Sequence, residues 1–178
     1  MAVTENWRNN SPFQEWLPLN IVSIERIPHK TDADLQIKVG LYDLVFLGSL
    51  MEELCIKKSG VGLSAFQVGI PLPFFVASND GNKFVYYYEC QYEGVSDLTK
   101  SIEGCLSILD ETKSPKRFLL QRYASIRCQG KKICFDGETC LQPFDQTFDD
   151  ISAIVLQHEI DHQMSRLISD IGTEIQII

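Results

Sequence analysis

V-L-Q-H-E-I-D-H-Q, Val155 to Gln163, decides the reading of this chain. Two histidines four apart share one face of a helix, where they can grip one metal ion. Glu159 would then stand beside that ion as a general base. A catalytic metal site needs a third protein ligand and one open position. The remaining histidine, His29, is far away in sequence. The extended zinc-protease pattern H-E-x-x-H-x-x-G-x-x-H fails, because Ser165 replaces its glycine and Ile168 its last histidine. Downstream, Glu174 lies in a short tail and is a weak candidate. The third ligand is therefore sought upstream.

The spacing predicts a helix from about Asp149 to Leu167, with Thr147 or Asp149 as N-cap. At about 100° per residue, Ile151, Ile154, Val155, His158 and His162 share one side. Ala153, Leu156, Ile160, Met164 and Leu167 share roughly the opposite side. A helix apolar on two sides is buried. A metal on it would border an apolar pocket walled by Ile151, Ile154 and Val155. The same residues also suit plain core packing.

Working outward, Leu41 to Cys55 shows helical spacing, with Gly48 on the apolar stripe and a stop near Ser59-Gly60. P-F-F-V-A-S and K-F-V-Y-Y-Y-E-C read as strands. Tyr123 to Gln142 carries two turn signals, Q-G-K-K and D-G, which predict a small antiparallel unit. Residues 1–30 are punctuated by proline and are expected to wrap the surface. The order of helix, strands and helix predicts an α+β fold. Mixed or antiparallel sheets should pack around the buried C-terminal helix carrying H-E-x-D-H. The length of 178 residues fits one domain spanning 1–178.

The net charge of -8 argues against a nucleic-acid partner. No run of about 18 apolar residues exists, so no membrane span is expected. The first twenty residues do not read as a signal peptide. The six cysteines form no C-x-x-C pair, which fits a reducing, cytoplasmic setting.

Upstream of the histidines stand S-I-E-G-C-L-S-I-L, Ser101 to Leu109, and G-V-G-L-S-A-F-Q, Gly60 to Gln67. With H-E-I-D-H, these three segments are similar, in order and content, to the three motifs of the peptide deformylases. The resemblance covers about Ile21 to Asp170. Ser64 stands where the family usually has alanine, and Gln163 and Ser165 where it commonly has leucine and glycine. No Asn-Pro follows the strand at Val85 to Cys90, and the segment from Leu109 to Arg122 looks longer than in short members.

The resemblance implies that Cys105 is the third metal ligand beside His158 and His162, with Glu159 as base. It implies that the Gln67 amide and the Leu106 backbone N–H stabilise an oxyanion, and that Val61, Gly62 and Gly104 bind the substrate backbone. A Cys-His-His set with an open fourth position is catalytic rather than structural. One divalent ion is expected, Fe(II) or Zn(II), with Ni(II) or Co(II) as alternatives. The implied reaction is hydrolysis of the N-formyl group from N-formylmethionyl nascent chains at the ribosome, releasing formate, by a monomer. The alternatives are another metal-dependent amidase, or an inactive relative that binds metal or formylated peptides. Arg122 has two candidate partners, Asp161 and Glu103.

Overall fold

The computed structural model describes residues 11–23, 39–78 and 83–176. The fold is α+β. Helix α1 spans Leu41–Lys57, strand β1 Gly62–Ser64, β2 Phe74–Ser78 and β3 Phe84–Gly94. Then come β4 Leu98–Leu109, β5 Pro115–Tyr123, β6 Ser125–Cys134 and β7 Cys140–Asp149. Helix α2 spans Asp150–Gln163, α3 Ile168–Ile171 and β8 Thr173–Ile175. One sheet has the order β1-β2-β3-β6-β7 and the other β4-β5-β8. Every pairing among the described residues is antiparallel.

The apolar run of β2 explains the layering. All five of its residues are buried. Phe74 and Val76 point to one core with Leu44, Leu47 and Met51 of α1, while Phe75 and Ala77 point to another with Ala153, Leu156 and Ile160 of α2. A strand covered on both faces reads as an unbroken apolar run. The larger sheet thus holds α1 on one face and α2 on the other. Helix α2 also reaches β5 of the smaller sheet, which places it between the two sheets.

Three expectations need correction. Helix α2 ends at Gln163, not Leu167, because Ser165 takes a left-handed backbone (φ 55) that glycine would adopt without strain. Met164 therefore leaves the helix and is exposed. Thr147 belongs to β7, and Asp149 holds the N-cap position without capping, since its Oδ1 accepts from Ser125 Oγ. Q-G-K-K makes no turn but lies inside β6. A Cβ on Gly130 would stand 2.5 Å from Cys90 Sγ, so this glycine marks a close strand approach at the β3 bulge. Only D-G turns the chain, with Gly137 at φ 91.

The N-terminal segment does more than wrap the surface. Phe13 is fully buried, Trp16 Nε1 donates to the Gly69 carbonyl, and the Val22 N–H donates to the Gln67 carbonyl. Residues 1–10 and 24–30, His29 included, lie outside the described residues. The segment from Leu109 to Arg122 is mostly strand, and its tight turn is held by Asp110, which accepts from the Thr112 and Ser114 N–H groups.

Gly48 lets α1 approach the Tyr86 ring, and a Cβ there would stand 2.4 Å from a ring carbon. Gly48→Leu should therefore overpack this contact and cost about 1–3 kcal/mol, read as a lower urea midpoint with an unchanged m-value.

Candidate metal centre

Strand β4 brings the first donor. Alternation along a strand puts Glu103, Cys105 and Ser107 on one face, and all three are buried. The β4–β5 register jumps from Gly104↔Arg117 to Leu109↔Pro115, so the strand bulges where the cysteine sits. Helix α2 brings the other two donors. The Cys105 Sγ lies 3.4 Å from His162 Nε2, and the His158 and His162 rings are 5.0 Å apart. One atom from each of Cys105, His158 and His162 lies within 4.8 Å of the others. A thiolate and two imidazoles suit a borderline-soft divalent ion, and the donor set fits one. Glu174, the weak candidate from the sequence, lies in β8, pairs with Lys116 of β5 and takes no part.

Four charged or polar groups fix these donors. Arg122 of β5 donates from Nε and Nη2 to the two Glu103 oxygens, at 2.9 and 3.0 Å. Its Nη1 donates to Asp161 of α2. The two candidate partners of Arg122 are thus both engaged. Glu103 Oε2 lies 2.9 Å from His158 Nδ1, which leaves Nε2 as the ring atom that could hold an ion. Tyr92 Oη donates to Asp161 at 3.1 Å. Burial alone would raise the Glu103 carboxyl, but His158 and Arg122 outweigh it and hold it at about 2. Burial also weighs against charge on His158, yet hydrogen bonds to Cys105 and Glu103 raise it above its ordinary value. Burial, then the charge of His158, lowers His162. The role of Glu103 towards His158 was missed in the sequence, although its place two residues before Cys105 on a strand signals a shared face.

Glu159 is buried with Oε2 unpartnered among the described residues. Burial pushes its carboxyl up to about 7. Gly62 makes room for it, since a Cβ there would stand 2.4 Å from Glu159 Oε1. The Ser64 N–H donates to Gln67 Oε1 at 2.9 Å, so the amide's NH₂ end faces Cys105 Sγ at 3.4 Å and Ser107 Oγ at 3.2 Å. These groups border a cleft of about 440 Å³. Val61, Gly62, Gly104 and Leu106 line it with Ile151, Ile154 and Val155. Ile151 stands at the mouth, 63% exposed. Both β1 and β4 are edge strands of their sheets, so their free edges border the cleft. Apart from Glu174 and the undescribed His29, the site candidates line this cleft or, for Cys105 and His162, join His158 in the donor cluster beside it.

The polypeptide deformylase family model matches residues 37–176. The chain belongs to the peptide deformylase family. It is 35% identical to the peptide deformylase of Bartonella tribocorum over 130 residues, covering 67% of this chain and 65% of that one. A second relative, from Bartonella henselae, is 35% identical over 134 residues, covering 71% and 68%. The chain thus spans slightly under two thirds of the first relative's length. A crystal structure of a peptide deformylase from Legionella pneumophila superposes with a TM-score of 0.71 at 22% identity, covering 87% of this chain and 86% of that one. One from Thermotoga maritima gives 0.70 at 23%, covering 87% and 97%. These two likenesses speak for the fold.

Arg122 is 2% exposed, so removing it strands two buried carboxylates. Arg122→Met should cost about 3–5 kcal/mol in chemical denaturation. Arg127→Met, which breaks an exposed pair with Asp145, should cost at most about 1 kcal/mol.

Proposed function

We propose that residues 1–178 form one catalytic domain, a metal-dependent hydrolase that removes the N-formyl group from N-formylmethionyl polypeptides and releases formate. The observation that carries this reading is the buried Glu159 carboxyl, whose Oε2 has no hydrogen-bond partner among the described residues, beside three converging donor atoms at the edge of an apolar cleft. Family membership supports it, as does the peptide deformylase of Synechococcus elongatus, whose crystal structure is a complex with actinonin.

In this reading Cys105, His158 and His162 hold one divalent ion, Fe(II) or Zn(II), with Ni(II) or Co(II) also suited to the donors. The bound ion supplies positive charge that acidifies a water and polarises the formyl oxygen. Glu159 takes the proton of the attacking water. The Gln67 amide and the Leu106 N–H donate to the oxygen that becomes negative as the formyl carbon is attacked. Glu159 then delivers its proton to the departing amine, and formate leaves. Glu103 keeps the His158 ring turned towards its ligand role. The free edges of β1 and β4, at Val61, Gly62 and Gly104, accept the peptide backbone. Ile154 and Val155, with Ile151 at the mouth, receive the methionine side chain. The substrates are nascent chains at the ribosome, in the cytoplasm, and the enzyme acts as a monomer without nucleic-acid contact. Glu159 and Gln67, both in place, speak against an inactive metal- or peptide-binding relative.

Cys105→Ala should lose most bound metal and most formate release, while Cys128→Ala should retain metal. Glu159→Gln should keep its metal and lose turnover by at least about 10²-fold, because only the base is removed. Metal analysis beside a formate assay reads both.

The pocket predicts selectivity. Each methylene buried there favours binding by roughly 0.8 kcal/mol. Formyl-Met and formyl-norleucine peptides should therefore be turned over far better than formyl-Ala peptides. Ile154→Phe should depress kcat/KM for formyl-Met more than for formyl-Ala, with metal content unchanged. Equal kcat/KM for the two substrates in the wild type would point to an unselective amidase instead.

A further inference from the structure

The cleft rim carries two cations with no acidic partner among the described residues. Arg117 faces Gly104 in the β4–β5 register. Gly104 has no side chain, and the guanidinium lies over it: a Cβ there would stand 3.0 Å from Nη1. Arg117 is exposed, lines the cleft, and forms no ion pair among the described residues. Lys58 is the C-cap of α1. It is likewise exposed and unpaired, and lines the same cleft from the segment that leads into β1. Among the described residues, the acids lining the cleft are Glu103 and Glu159. Glu103 is neutralised by Arg122 and His158, and Glu159 is buried at the reaction centre. The rim is therefore positive, on a chain whose net charge is -8.

The positive lining continues outward. A second hollow of about 980 Å³ shares Lys58, Leu106 and Pro115 with the cleft and adds Lys113 and Lys116. Of these two, Lys116 is paired with Glu174, and Lys113 has no ion pair among the described residues. Arg117 lies over Gly104, the neighbour of Cys105 in the chain, and an extended peptide advances only about 3.3 Å per residue, so the chain that follows the methionine passes this rim.

We propose that Arg117 and Lys58 select substrates with acidic side chains directly after the methionine. This rests on the deformylase reading and adds to it the class of chain preferred. An acidic protein repels acidic peptides at long range, and a local pair of unneutralised cations reverses that repulsion where the chain must lie. Solvent-exposed pairs of this kind change affinity by about 2- to 5-fold each, and salt screens them.

The test compares formyl-Met-Asp-Asp-Ala, formyl-Met-Ser-Ser-Ala and formyl-Met-Lys-Lys-Ala by kcat/KM at low and high salt. The Asp-to-Lys ratio should be about 10 at low salt and fall towards one at high salt. Arg117→Glu should invert the ratio, Arg117→Lys should preserve it, and Lys58→Glu should lower it. Equal rates for the Asp and Lys peptides in the wild type, or a ratio untouched by Arg117→Glu, would overturn the proposal. The same ratio is read without catalysis from the Kd of labelled N-acetyl-Met-Asp-Asp-Ala and N-acetyl-Met-Lys-Lys-Ala by fluorescence anisotropy. If the wild type cleaves none of the formyl peptides, the deformylase reading fails. The anisotropy ratio then decides the charge selection alone.

Discussion

Arg122 carries a full positive charge into the interior, and the site depends on how that charge is met. An isolated guanidinium is very costly to bury, so its donors must find acceptors with good geometry. Glu103 takes two of them from β4, and Asp161 takes another from α2. Glu103 also meets His158. The strand bearing Cys105 and the helix bearing both histidines are therefore held through one buried ion. Sliding β4 by two residues would keep its buried face but break all three Glu103 bonds, two to Arg122 and one to His158. Packing alone would tolerate such a slip; the ion network does not.

The second constraint is how little room surrounds α2. It is buried against β2 and β3 on one side and reaches the smaller sheet on the other. A helix so enclosed turns only a narrow strip towards solvent, and that strip carries Ile154, His158 and the approach to Glu159. Burial there has a chemical result, because it raises the Glu159 carboxyl towards the pH at which a base works best. Gly62 is part of the same economy of space, since any larger residue would displace that carboxyl.

Much of this was legible in the sequence where the signal is local. Helix α1 follows from periodicity, strands β2 and β3 from their aromatic and β-branched content, and the histidine spacing placed both imidazoles on one buried helix face. What failed involved distant neighbours. Q-G-K-K has turn composition, yet Gly130 serves the crowding of Cys90 across the sheet. Ser165 ends a helix whose apolar pattern continues to Leu167. Phe13 enters a core that nothing in its own segment announces. The third candidate ligand lay between these cases. Cys105 stands 57 residues from His162, and only the resemblance of E-G-C-L-S to a known motif singled it out. Its strand periodicity did hold a readable message, because Glu103, Cys105 and Ser107 alternate onto one face.

The central claim is that β4 and α2 jointly hold one metal ion through a sulfur and two nitrogens. X-ray absorption spectroscopy of the Zn(II)-reconstituted protein tests it most directly. The account predicts one sulfur scatterer at roughly 2.3 Å and two imidazole nitrogens at roughly 2.0–2.1 Å, with the sulfur lost in Cys105→Ala. A wild-type coordination shell of nitrogen and oxygen alone would contradict it.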